Sequence, residues 1–343
     1  MPQDPSAALS TLDILSGATS EEVAVLSALM SVDTVPAGVE LSRQGDKGDR
    51  FWGVIAGTLE VTVSKAMGER RIAVASQGAI LGELSLLRDA PRSATIRTLQ
   101  DCVLASGGPG ALEVLIEIES ARQRIQALAS RRLAEDCRPI RVTLRDGQSA
   151  LLRPLLPSDR ANLTYAIRNL SAESLRRRFF SPTPPSQKLI DYLVDIDFVD
   201  HFAWVAIDST TGAGMATARY VRTAVRGQAE IAFTTTDGNQ GRGLGTVLLG
   251  AIGVAAEQGG VDRLIAHVLD DNAAMRAVFA KAGGETSREE PGVVSVSIES
   301  VKAASLLEPA IRREVADSVH DIVTAASLAL VDSAGSTTRE LAP

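Results

Sequence analysis

The chain has 343 residues, of which 45% are apolar and 22% charged, and its formal net charge is −7. At roughly 150 residues per domain this length predicts about two domains and excludes a single small module. The composition is that of a globular protein, and the acidic balance gives no general attraction to nucleic acid. The 2 cysteines and 3 histidines are scattered, which argues against a disulfide framework or a zinc cluster. No metal site is therefore expected.

No segment has the pattern of a membrane span or a secretion signal. The longest apolar stretch, residues 247–256, is interrupted by glycine and is too short to cross a bilayer. Residues 1–17 lack the basic region that begins a secretion signal. The sequence therefore predicts a cytoplasmic protein with neither a membrane nor a nucleic-acid partner.

The first half of the chain changes from helical to strand-like patterning and back. Thr19 and Glu22 have the spacing of a capping box, which predicts a short helix after Thr19. Between residues 32 and 104, short alternating apolar runs are separated by glycines, which predicts a compact antiparallel barrel or jelly roll. Helical spacing over residues 109–132 predicts one long helix, and residues 131–139 have the character of a linker.

The second half begins with a predicted hairpin, residues 140–144 and 150–155, around an Asp146-Gly147 turn. Helices are predicted across residues 158–194, with a proline-rich break at 182–185. The following elements are predicted as strands at 202–208, 213–221, 229–235, 262–268, 285–290 and 293–299, and as helices at 242–258 and 271–282. This mixture indicates an α/β (α+β) domain with a mixed sheet. A terminal helix is predicted from Leu306, and residues 333–343 look frayed.

One segment inside the predicted barrel combines a carboxylate, backbone amides and an arginine. Its candidate ligand-binding residues are Gly82, Glu83, Leu84, Ser85, Arg92 and Ser93. Arg92 can present a guanidinium fork to phosphate oxygens, and Glu83 can accept a hydrogen bond from a ribose hydroxyl. For an arbitrary barrel, the simpler interpretation is a surface ion pair between these two side chains.

This segment, together with residues 45–61, resembles the phosphate-binding cassette of cyclic-nucleotide-binding domains, and the resemblance covers about residues 12–135. It implies a β jelly roll with flanking helices in which Glu83 binds the ribose 2′-hydroxyl and Arg92 the cyclic phosphate. Leu81 stands where the family commonly has an aromatic residue. Ser93 is compatible with cyclic AMP or cyclic GMP, and a bacterial origin, which we assume, favours cyclic AMP.

A glycine-rich loop, residues 236–246, joins the predicted strand 229–235 to the next helix. Successive amides at a helix start can bind an anion, and the helix dipole adds to the attraction. The loop lacks the Gly-Lys-Ser/Thr of a Walker motif, as well as the glycine spacing and acidic ribose ligand of a dinucleotide fingerprint. A flexible glycine turn is the plain alternative.

The loop resembles the Q/R-x-x-G-x-G/A loop of the GCN5-related N-acetyltransferase (GNAT) family, over about residues 140–300. Its members here are Gln240, Gly241, Arg242, Gly243, Leu244 and Gly245. The resemblance implies that these residues bind the pyrophosphate of acetyl-coenzyme A (acetyl-CoA) and that Asn272 contacts the cofactor's pantetheine or phosphate arm. The family's tyrosine acid falls at Phe279, which has no proton to donate.

Glu230 is the candidate general base. Strand alternation places Ile231 and Phe233 on one face and Glu230, with Thr234, on the other. From residue type alone, an exposed or ion-paired carboxylate is an equally good interpretation. The resemblance implies that Glu230 takes a proton from the acceptor ammonium and that amides near Phe233 and Thr234 polarise the thioester carbonyl.

Two further polar features have less specific interpretations. His201, at the start of a predicted strand, fits a buried structural histidine better than a second polar group of the site. The run Arg176-Arg177-Arg178 is typical of a solvated helix face, with contact to an acidic acceptor surface as the alternative.

The order of the two predicted domains resembles that of mycobacterial and actinobacterial cyclic-AMP-regulated protein lysine acetyltransferases. We expect a cyclic-nucleotide-binding domain at 1–138, a GNAT domain at 139–300 and a C-terminal helical segment and tail at 301–343. The resemblance implies that cyclic AMP relieves autoinhibition, and we hypothesise a lid within residues 158–200. It also implies acceptor lysines on proteins such as acyl-CoA synthetases and universal stress proteins. The alternatives are a transferase for a small amine, a cyclic-nucleotide-dependent transcription regulator and a sensor with an inactive transferase domain.

Overall fold

The computed structural model describes residues 5–65 and 68–327. These residues form two compact units, which cover residues 5–129 and 130–326. The predicted frayed segment 333–343 lies outside the described residues. Within the described part of the chain, no helix combines the length and the apolar character that a bilayer crossing requires.

Two antiparallel four-stranded sheets form the body of the first unit. Their strands are β1 (Met30–Val35), β2 (Glu40–Ser42), β3 (Phe51–Ala56), β4 (Leu59–Lys65), β5 (Gly68–Ala75), β6 (Ile80–Leu81), β7 (Thr95–Thr98) and β8 (Cys102–Gly107). The sheet orders are β1-β8-β3-β6 and β2-β7-β4-β5. Alternating side chains such as Val54, Leu59 and Leu104 are fully buried between the sheets. The predicted jelly roll is confirmed.

Helices flank this jelly roll. They are α1 (Pro5–Leu9), α2 (Ser20–Ser27), α3 (Glu83–Leu87), α4 (Pro109–Glu117) and α5 (Glu119–Asp136), with a 3-10 turn at Asp13–Leu15. The capping box is confirmed, because Thr19 N donates to Glu22 Oε2 at 2.7 Å and Glu22 N donates to Thr19 Oγ1 at 3.3 Å. The prediction of one long helix was wrong: Ile118 is extended, with ψ 110°, and its side chain is buried in the core. The predicted linker was also wrong, because α5 continues to Asp136.

The second unit is an eight-stranded mixed sheet covered by helices. Its strands are β9 (Ile140–Thr143), β10 (Ser149–Pro154), β11 (His201–Asp208), β12 (Gly214–Arg222), β13 (Gln228–Thr235), β14 (Arg263–Leu269), β15 (Glu285–Glu290) and β16 (Val293–Glu299). Its helices are α6 (Arg160–Arg168), α7 (Ala172–Phe179), α8 (Gln187–Val194), α9 (Leu244–Gln258), α10 (Ala273–Lys281), α11 (Ser300–Ala304) and α12 (Pro309–Ser327), with 3-10 turns at Pro157–Asp159 and Asp237–Asn239. The sheet order is β15-β16-β14-β13-β12-β11-β10-β9. The predicted mixed α/β architecture is confirmed.

The hairpin of β9 and β10 is confirmed. The strands pair antiparallel, and Gly147 takes the left-handed conformation in the turn, with φ +81°. This hairpin follows the long helix α5 directly, at the position where the transcription-regulator alternative requires a helix-turn-helix.

The C-terminal helical segment begins differently from the prediction. Leu306 lies in a turn, because α11 ends at Ala304 and α12 starts with Pro309 at its first position. The apolar stripe of α12, including Val315 and Val319, is buried in the core of the second unit.

The sheet opens between β13 and β14. These two strands run parallel and pair only from Gln228 to Glu230, opposite Arg263 to Ile265. Beyond that point the strands diverge, so backbone groups of β13 that face β14 have no strand partner among the described pairings. Helix α9 covers one face of the sheet, where Trp204 Nε1 donates to the carbonyl of Ala251 at 3.2 Å. The divergence creates the cleft described next.

Candidate active site and nucleotide pocket

A cavity of about 520 Å³ occupies the gap between β13 and β14. Of the predicted transferase residues, the cavity is lined by Glu230, Phe233, Thr234, Gln240, Gly241, Gly243, Leu244, Gly245 and Asn272. Arg242 is the single predicted residue of this set whose side chain lies elsewhere. The structure thus brings together residues that are up to 42 positions apart in the sequence, from Glu230 to Asn272.

Glu230 is the last residue of β13 that pairs with β14, and the two strands diverge beyond it. Its side chain is exposed to the cavity, while Ile231 is 3% exposed and points to the opposite, core face. Phe233 follows Ile231 on that face but borders the cavity where the sheet opens, and it packs edge to face on Phe279, with ring centroids 5.9 Å apart. The predicted alternation along this strand is confirmed.

The glycine-rich loop turns tightly before α9. Gly241 and Gly243 adopt positive φ values of +76° and +94°, which side chains disfavour, and α9 begins at Leu244. Gln240 Nε2 donates to Ser174 Oγ at 2.9 Å, which fixes the loop against α7. The start of α9 therefore faces the cavity with its backbone amides, an arrangement suited to a phosphate group.

Arg242 points away from this cavity and toward the β9–β10 hairpin. Its Nε donates to Asp146 Oδ2 at 2.6 Å, and its terminal nitrogens donate to Gln148 Oε1 and Asn239 Oδ1, each at 2.6 Å. Hydrogen bonding and charge from Arg242 lower the pKa of Asp146. The side chain therefore fastens the loop to the hairpin.

Asn272 and Phe279 frame the far side of the cavity on α10. Asn272 Oδ1 caps this helix by accepting from Met275 N at 3.2 Å, and its side chain is buried. Phe279, at the position of the family's tyrosine, lines the cavity with a ring that is 2% exposed. The structure thus gives Asn272 a helix-capping role in addition to its place in the cavity wall.

The interpretation of the arginine run as a solvated helix face holds for Arg176 and Arg177, whose ion pairs are exposed, and is wrong for Arg178. Arg176 binds Asp271 at 2.7 Å and Glu173 at 3.0 Å, and Arg177 binds Glu173 at 2.7 Å. Arg178 turns into the cavity, where its Nε donates to Thr234 Oγ1 at 3.1 Å. Arg178 therefore connects α7 to the cavity wall, while the other two arginines form ion pairs at the surface.

Arg178 places a cation near Glu230, and a second buried cation, Arg219, lies near Arg178. Burial lowers the pKa of Arg178 to about 10, and the nearby Glu230 carboxylate opposes that shift. Burial also lowers the pKa of Arg219 to about 9, and the charge of Arg178 lowers it further. Both values lie well above neutral pH, so both guanidinium groups stay charged, and that of Arg178 lines the cavity.

His201 is the buried structural histidine that the sequence predicted. It is 4% exposed, and its Nε2 lies 3.0 Å from a terminal nitrogen of Arg219. Arg219 can only donate, so the histidine Nε2 is the acceptor and the ring is neutral. Burial, followed by the charge of Arg219, lowers the pKa of His201 to about 4. The ring also stacks on Tyr192, with centroids 5.2 Å apart.

Asp237 joins the start of α7 to the glycine-rich loop. Its carboxylate accepts from Ser171 N at 2.8 Å, Ser171 Oγ at 2.9 Å and Ser174 Oγ. These hydrogen bonds, the one from Ser174 first, lower the pKa of Asp237. Helix α7 is thus attached to the glycine-rich loop at its N-terminus and to β13 through Arg178.

In the first unit, the predicted nucleotide-binding segment forms β6, α3 and the turn before β7. Glu83 is 0% exposed and Arg92 is 5% exposed, so the surface ion pair considered as the simpler interpretation is wrong. Leu84 is half-buried, Ser85 buried and Ser93 exposed. Gly82 has φ +83°, and a side chain there would collide with Arg92 and Trp52.

Arg92 is held in a fixed orientation. One terminal nitrogen donates to the carbonyl of Gly82 at 2.9 Å and to Ser85 Oγ at 2.8 Å, and the other donates to the carbonyl of Arg50 at 2.7 Å. The guanidinium also lies over Trp52, 4.9 Å from the ring centroid. Burial lowers the pKa of Arg92, while Asp49 and Glu83 oppose the shift. An oriented, buried cation of this kind is suited to a phosphate.

Sequence reasoning missed the cavity positions of Arg178 and Arg145. Arg178 stands three residues after Leu175, which is buried, so helical periodicity already placed both on one face of α7. Arg145 lies beside Gly243 in the cavity wall, and nothing in its local sequence indicates that contact. In the described part of the chain, no three His, Cys, Asp or Glu side chains are grouped as a metal would require.

Two family models match the chain, the cyclic nucleotide-binding domain at residues 32–118 and the acetyltransferase (GNAT) domain at residues 150–285. Acetyltransferase Pat of Mycolicibacterium smegmatis is 33% identical over 94% of this chain and 97% of its own length. The solved structure of a cAMP-binding acyltransferase from Mycobacterium smegmatis is 32% identical over 94% of this chain and 98% of that one, with a TM-score of 0.48. The GNAT domain of S. lividans PAT is 36% identical over 47% of this chain and 96% of that one, with a TM-score of 0.44.

Proposed function

Because this chain belongs to the family of acetyltransferase Pat, with a cyclic nucleotide-binding domain followed by a GNAT domain, we propose that it acetylates protein lysines under the control of cyclic AMP. The chain is an N-acetyltransferase. The finer proposal has three parts: acetyl-CoA is the donor, lysine side chains of other proteins are the acceptors, and cyclic AMP relieves autoinhibition. We retain domain boundaries at 1–138, 139–300 and 301–343.

The observation that carries the transferase proposal is one cavity with a carboxylate at one end and a phosphate-binding loop at the other. Glu230 and the residues from Gln240 to Gly245, apart from Arg242, line the same 520 Å³ space. Its middle is bounded by apolar groups, including Phe233 and Val278, which suit a pantetheine chain and a small acyl group. An acyl-CoA and an amine are the reactants that such an arrangement brings together.

Glu230 has the position required of the base in this proposal. An acceptor ammonium must lose a proton before it attacks the thioester, and the exposed carboxylate takes that proton directly or through a water. Backbone amides of β13 beyond Glu230, near Phe233 and Thr234, polarise the thioester oxygen as it gains negative charge. The loop amides and Asn272 hold the coenzyme in line, and no covalent enzyme intermediate is needed.

Phe279 leaves the departing thiolate without the family's tyrosine donor. Its ring packs on Phe233 and helps to close the apolar part of the cavity. A coenzyme A thiolate leaves more readily than an amine at neutral pH, because its conjugate thiol is much the stronger acid. We therefore propose that acetyl transfer requires no proton donor at position 279.

For the effector, the proposal assigns the cyclic phosphate to Arg92 and the ribose 2′-hydroxyl to Glu83, with Gly82, Leu84, Ser85 and Ser93 completing the pocket. The buried, oriented Arg92 guanidinium and the buried Glu83 carboxylate support this assignment. Cyclic AMP remains preferred over cyclic GMP, and a lid within residues 158–200 remains the proposed autoinhibitory element. Protein acceptors of the acyl-CoA synthetase and universal stress protein type, and the cytoplasm as the compartment, also remain predictions.

The test is transfer of labelled acetyl from acetyl-CoA to a purified acyl-CoA synthetase, with and without cyclic AMP. We expect lysine labelling that cyclic AMP stimulates and that Glu230→Gln reduces by roughly 10²–10⁴-fold, with acetyl-CoA binding retained. Glu285→Gln, an exposed carboxylate on β15, is the matched control and should leave transfer unchanged. Labelling of small amines alone would show that the acceptor is not a protein lysine. Full activity of the Glu230 variant would show that Glu230 is not the base.

A further inference from the structure

Arg145 lies at the phosphate end of the transferase cavity, although it belongs to the β9–β10 hairpin and precedes the matched GNAT segment at residues 150–285. Its side chain runs across Gly243: a Cβ on that glycine would lie 3.2 Å from Arg145 Cγ and 3.5 Å from its Nε. Gly243 immediately precedes α9 and has φ +94°. The guanidinium is thereby placed beside the amides that begin this helix.

The hairpin is fixed to the glycine-rich loop at several points. Arg145 N donates to the carbonyl of Arg242 at 3.1 Å, and the Arg242 side chain binds Asp146 and Gln148 on the hairpin. The position of Arg145 over the loop is therefore set by its neighbours on both sides. A backbone constrained in this way loses little further entropy when the loop binds a ligand.

Arg242 and Arg145 each have a side chain that contacts the other's segment of the chain. Arg242 belongs to the loop by sequence, but its side chain is engaged by Asp146, Gln148 and Asn239 and does not line the cavity. Arg145 belongs to the hairpin, lines the cavity, and is exposed without an ion pair among the described residues. The hairpin thus supplies a cation beside this loop.

We propose that Arg145 binds the pyrophosphate of the acyl-CoA donor, an assignment that rests on the proposed transferase function. The start of α9 supplies amides and Arg145 supplies a full positive charge and a planar donor fork on the same side of Gly243. The 3′-phosphate of coenzyme A is the other anionic group that an arginine near this loop can contact. The pyrophosphate is favoured because Arg145 lies directly against the loop's second positive-φ glycine.

The test compares Arg145→Met, Arg145→Lys and Arg141→Met in the full chain, the last being an exposed arginine on the same hairpin. Affinities are measured by calorimetry for coenzyme A and for 3′-dephospho-coenzyme A, and transfer is also measured with acetyl-pantetheine, which has no pyrophosphate. We expect Arg145→Met to weaken both coenzymes by roughly 10-fold and equally, and Arg145→Lys to recover part of the loss. Arg141→Met should bind both as the unsubstituted chain does.

Transfer from acetyl-pantetheine separates phosphate binding from a change in loop shape. Arg145→Met should leave its kcat/KM within about twofold, because this donor carries no group for Arg145 to bind. An equal loss with acetyl-pantetheine, unchanged coenzyme A affinity, or a loss confined to the donor with the 3′-phosphate would each overturn the proposal. Failure of the unsubstituted chain to bind coenzyme A would instead count against the proposed function.

Discussion

Arg178 on α7 donates from Nε to Thr234 Oγ1 on β13 at 3.1 Å, which holds a cation on the same face of the strand as Glu230. The guanidinium also lies over Phe179, 4.8 Å from the ring centroid, so its position is fixed from two sides. Its pKa of about 10 keeps it charged at any ordinary assay pH. A fixed cation at this place attracts the charge that develops on the thioester oxygen and repels an acceptor that stays protonated.

We therefore predict that Arg178→Met lowers kcat for acetyl transfer by roughly 10–100-fold at saturating cyclic AMP. The Kd for acetyl-CoA should change by less than about threefold, since the phosphate-binding loop is untouched. Arg178→Lys should restore part of kcat because it keeps the charge but loses the planar fork. Steady-state kinetics with both substrates varied, alongside calorimetry for acetyl-CoA, separate the two effects.

Arg176→Met is the matched control, since Arg176 lies on the same helix, is not part of the cavity wall and binds Glu173 at 3.0 Å. It should alter kcat by no more than about threefold. A rise in activity on removal of Arg178 would contradict the prediction, because it would mean that this side chain obstructs the acceptor instead of assisting the reaction.

The effector pocket makes a separate prediction. Arg92→Lys keeps one positive charge near Trp52 but loses the fork that now donates to Gly82, Ser85 and Arg50. We expect the Kd for cyclic AMP to rise by roughly 10–100-fold, and the cyclic AMP concentration for half-maximal activation to rise with it. Calorimetry and the acetyl-transfer assay check the two quantities.

Arg97→Lys controls for the loss of any guanidinium in this unit, because Arg97 binds Glu40 at 3.1 Å on the partly exposed outer side of β7. Its cyclic AMP affinity should match that of the unsubstituted chain. Unaltered cyclic AMP affinity of the Arg92 variant would show that the cyclic phosphate is not bound by Arg92.

The lowered pKa of His201 predicts how the free energy of unfolding of the second unit depends on pH. Its pKa is lowered from 6.5 to about 4, so as pH falls below 6.5 the unfolded chain takes up a proton that the folded chain does not. Stability is therefore greatest above pH 6.5 and is lost toward pH 4, with a contribution from this histidine of about 3 kcal/mol. His201→Gln removes the titrating group and should reduce the loss between pH 7 and 4 by that amount.

Urea unfolding measures this difference, with Trp204 as the fluorescent reporter in a Trp52→Phe background. His320→Gln, at an exposed position of α12, should keep the full pH dependence. The comparison uses the change in the free energy of unfolding with pH, so a His201 variant that is less stable at every pH remains informative. Identical slopes for the two variants would show that His201 is protonated at similar pH in the folded and unfolded chain.

Much of this architecture follows from local pattern. Alternation along β13 predicted that Glu230 and Thr234 lie on the same face of the strand, because successive residues of a strand face opposite ways. The capping box at Thr19 and the Asp146-Gly147 turn were likewise local. The break at Ile118 was missed because its apolar spacing fits a continuous helix, and burial of the side chain in the first unit's core overrides that pattern.

The site was predictable where a motif concentrates its residues and unpredictable where distant segments meet. Residues 240–245 are adjacent in sequence, so their glycines and helix start were visible together. The contact of Arg145 with Gly243 spans almost 100 positions, and it depends on where the sheet places the β9–β10 hairpin. The turn of Arg242 away from the cavity has the same origin, since its partners Asp146 and Gln148 lie on that hairpin.

The attachment of α7 to the glycine-rich loop gives the last prediction. Asp237 accepts hydrogen bonds from Ser171 and Ser174, and Ser174 in turn accepts one from Gln240 at 2.9 Å. Asp237→Ala removes the acceptors that orient both serines, so Gln240 loses its anchor. We expect KM for acetyl-CoA to rise roughly 5–10-fold, because a loop that must be ordered on binding gives up part of its affinity.

Asp208→Ala is the matched control for Asp237→Ala. Asp208 also accepts backbone hydrogen bonds, from Thr210 at 2.9 Å and Thr211 at 2.8 Å, and its pKa is likewise lowered by them, but it is the last residue of β11 and does not line the cavity. Both lowered pKa values mean that each carboxylate stabilises the fold above the ordinary aspartate range and loses that effect as pH falls below it. The two variants should therefore lose stability alike, whereas the rise in KM should belong to Asp237→Ala alone. A similar KM for both variants would show that the contacts of α7 with the loop do not order the coenzyme site.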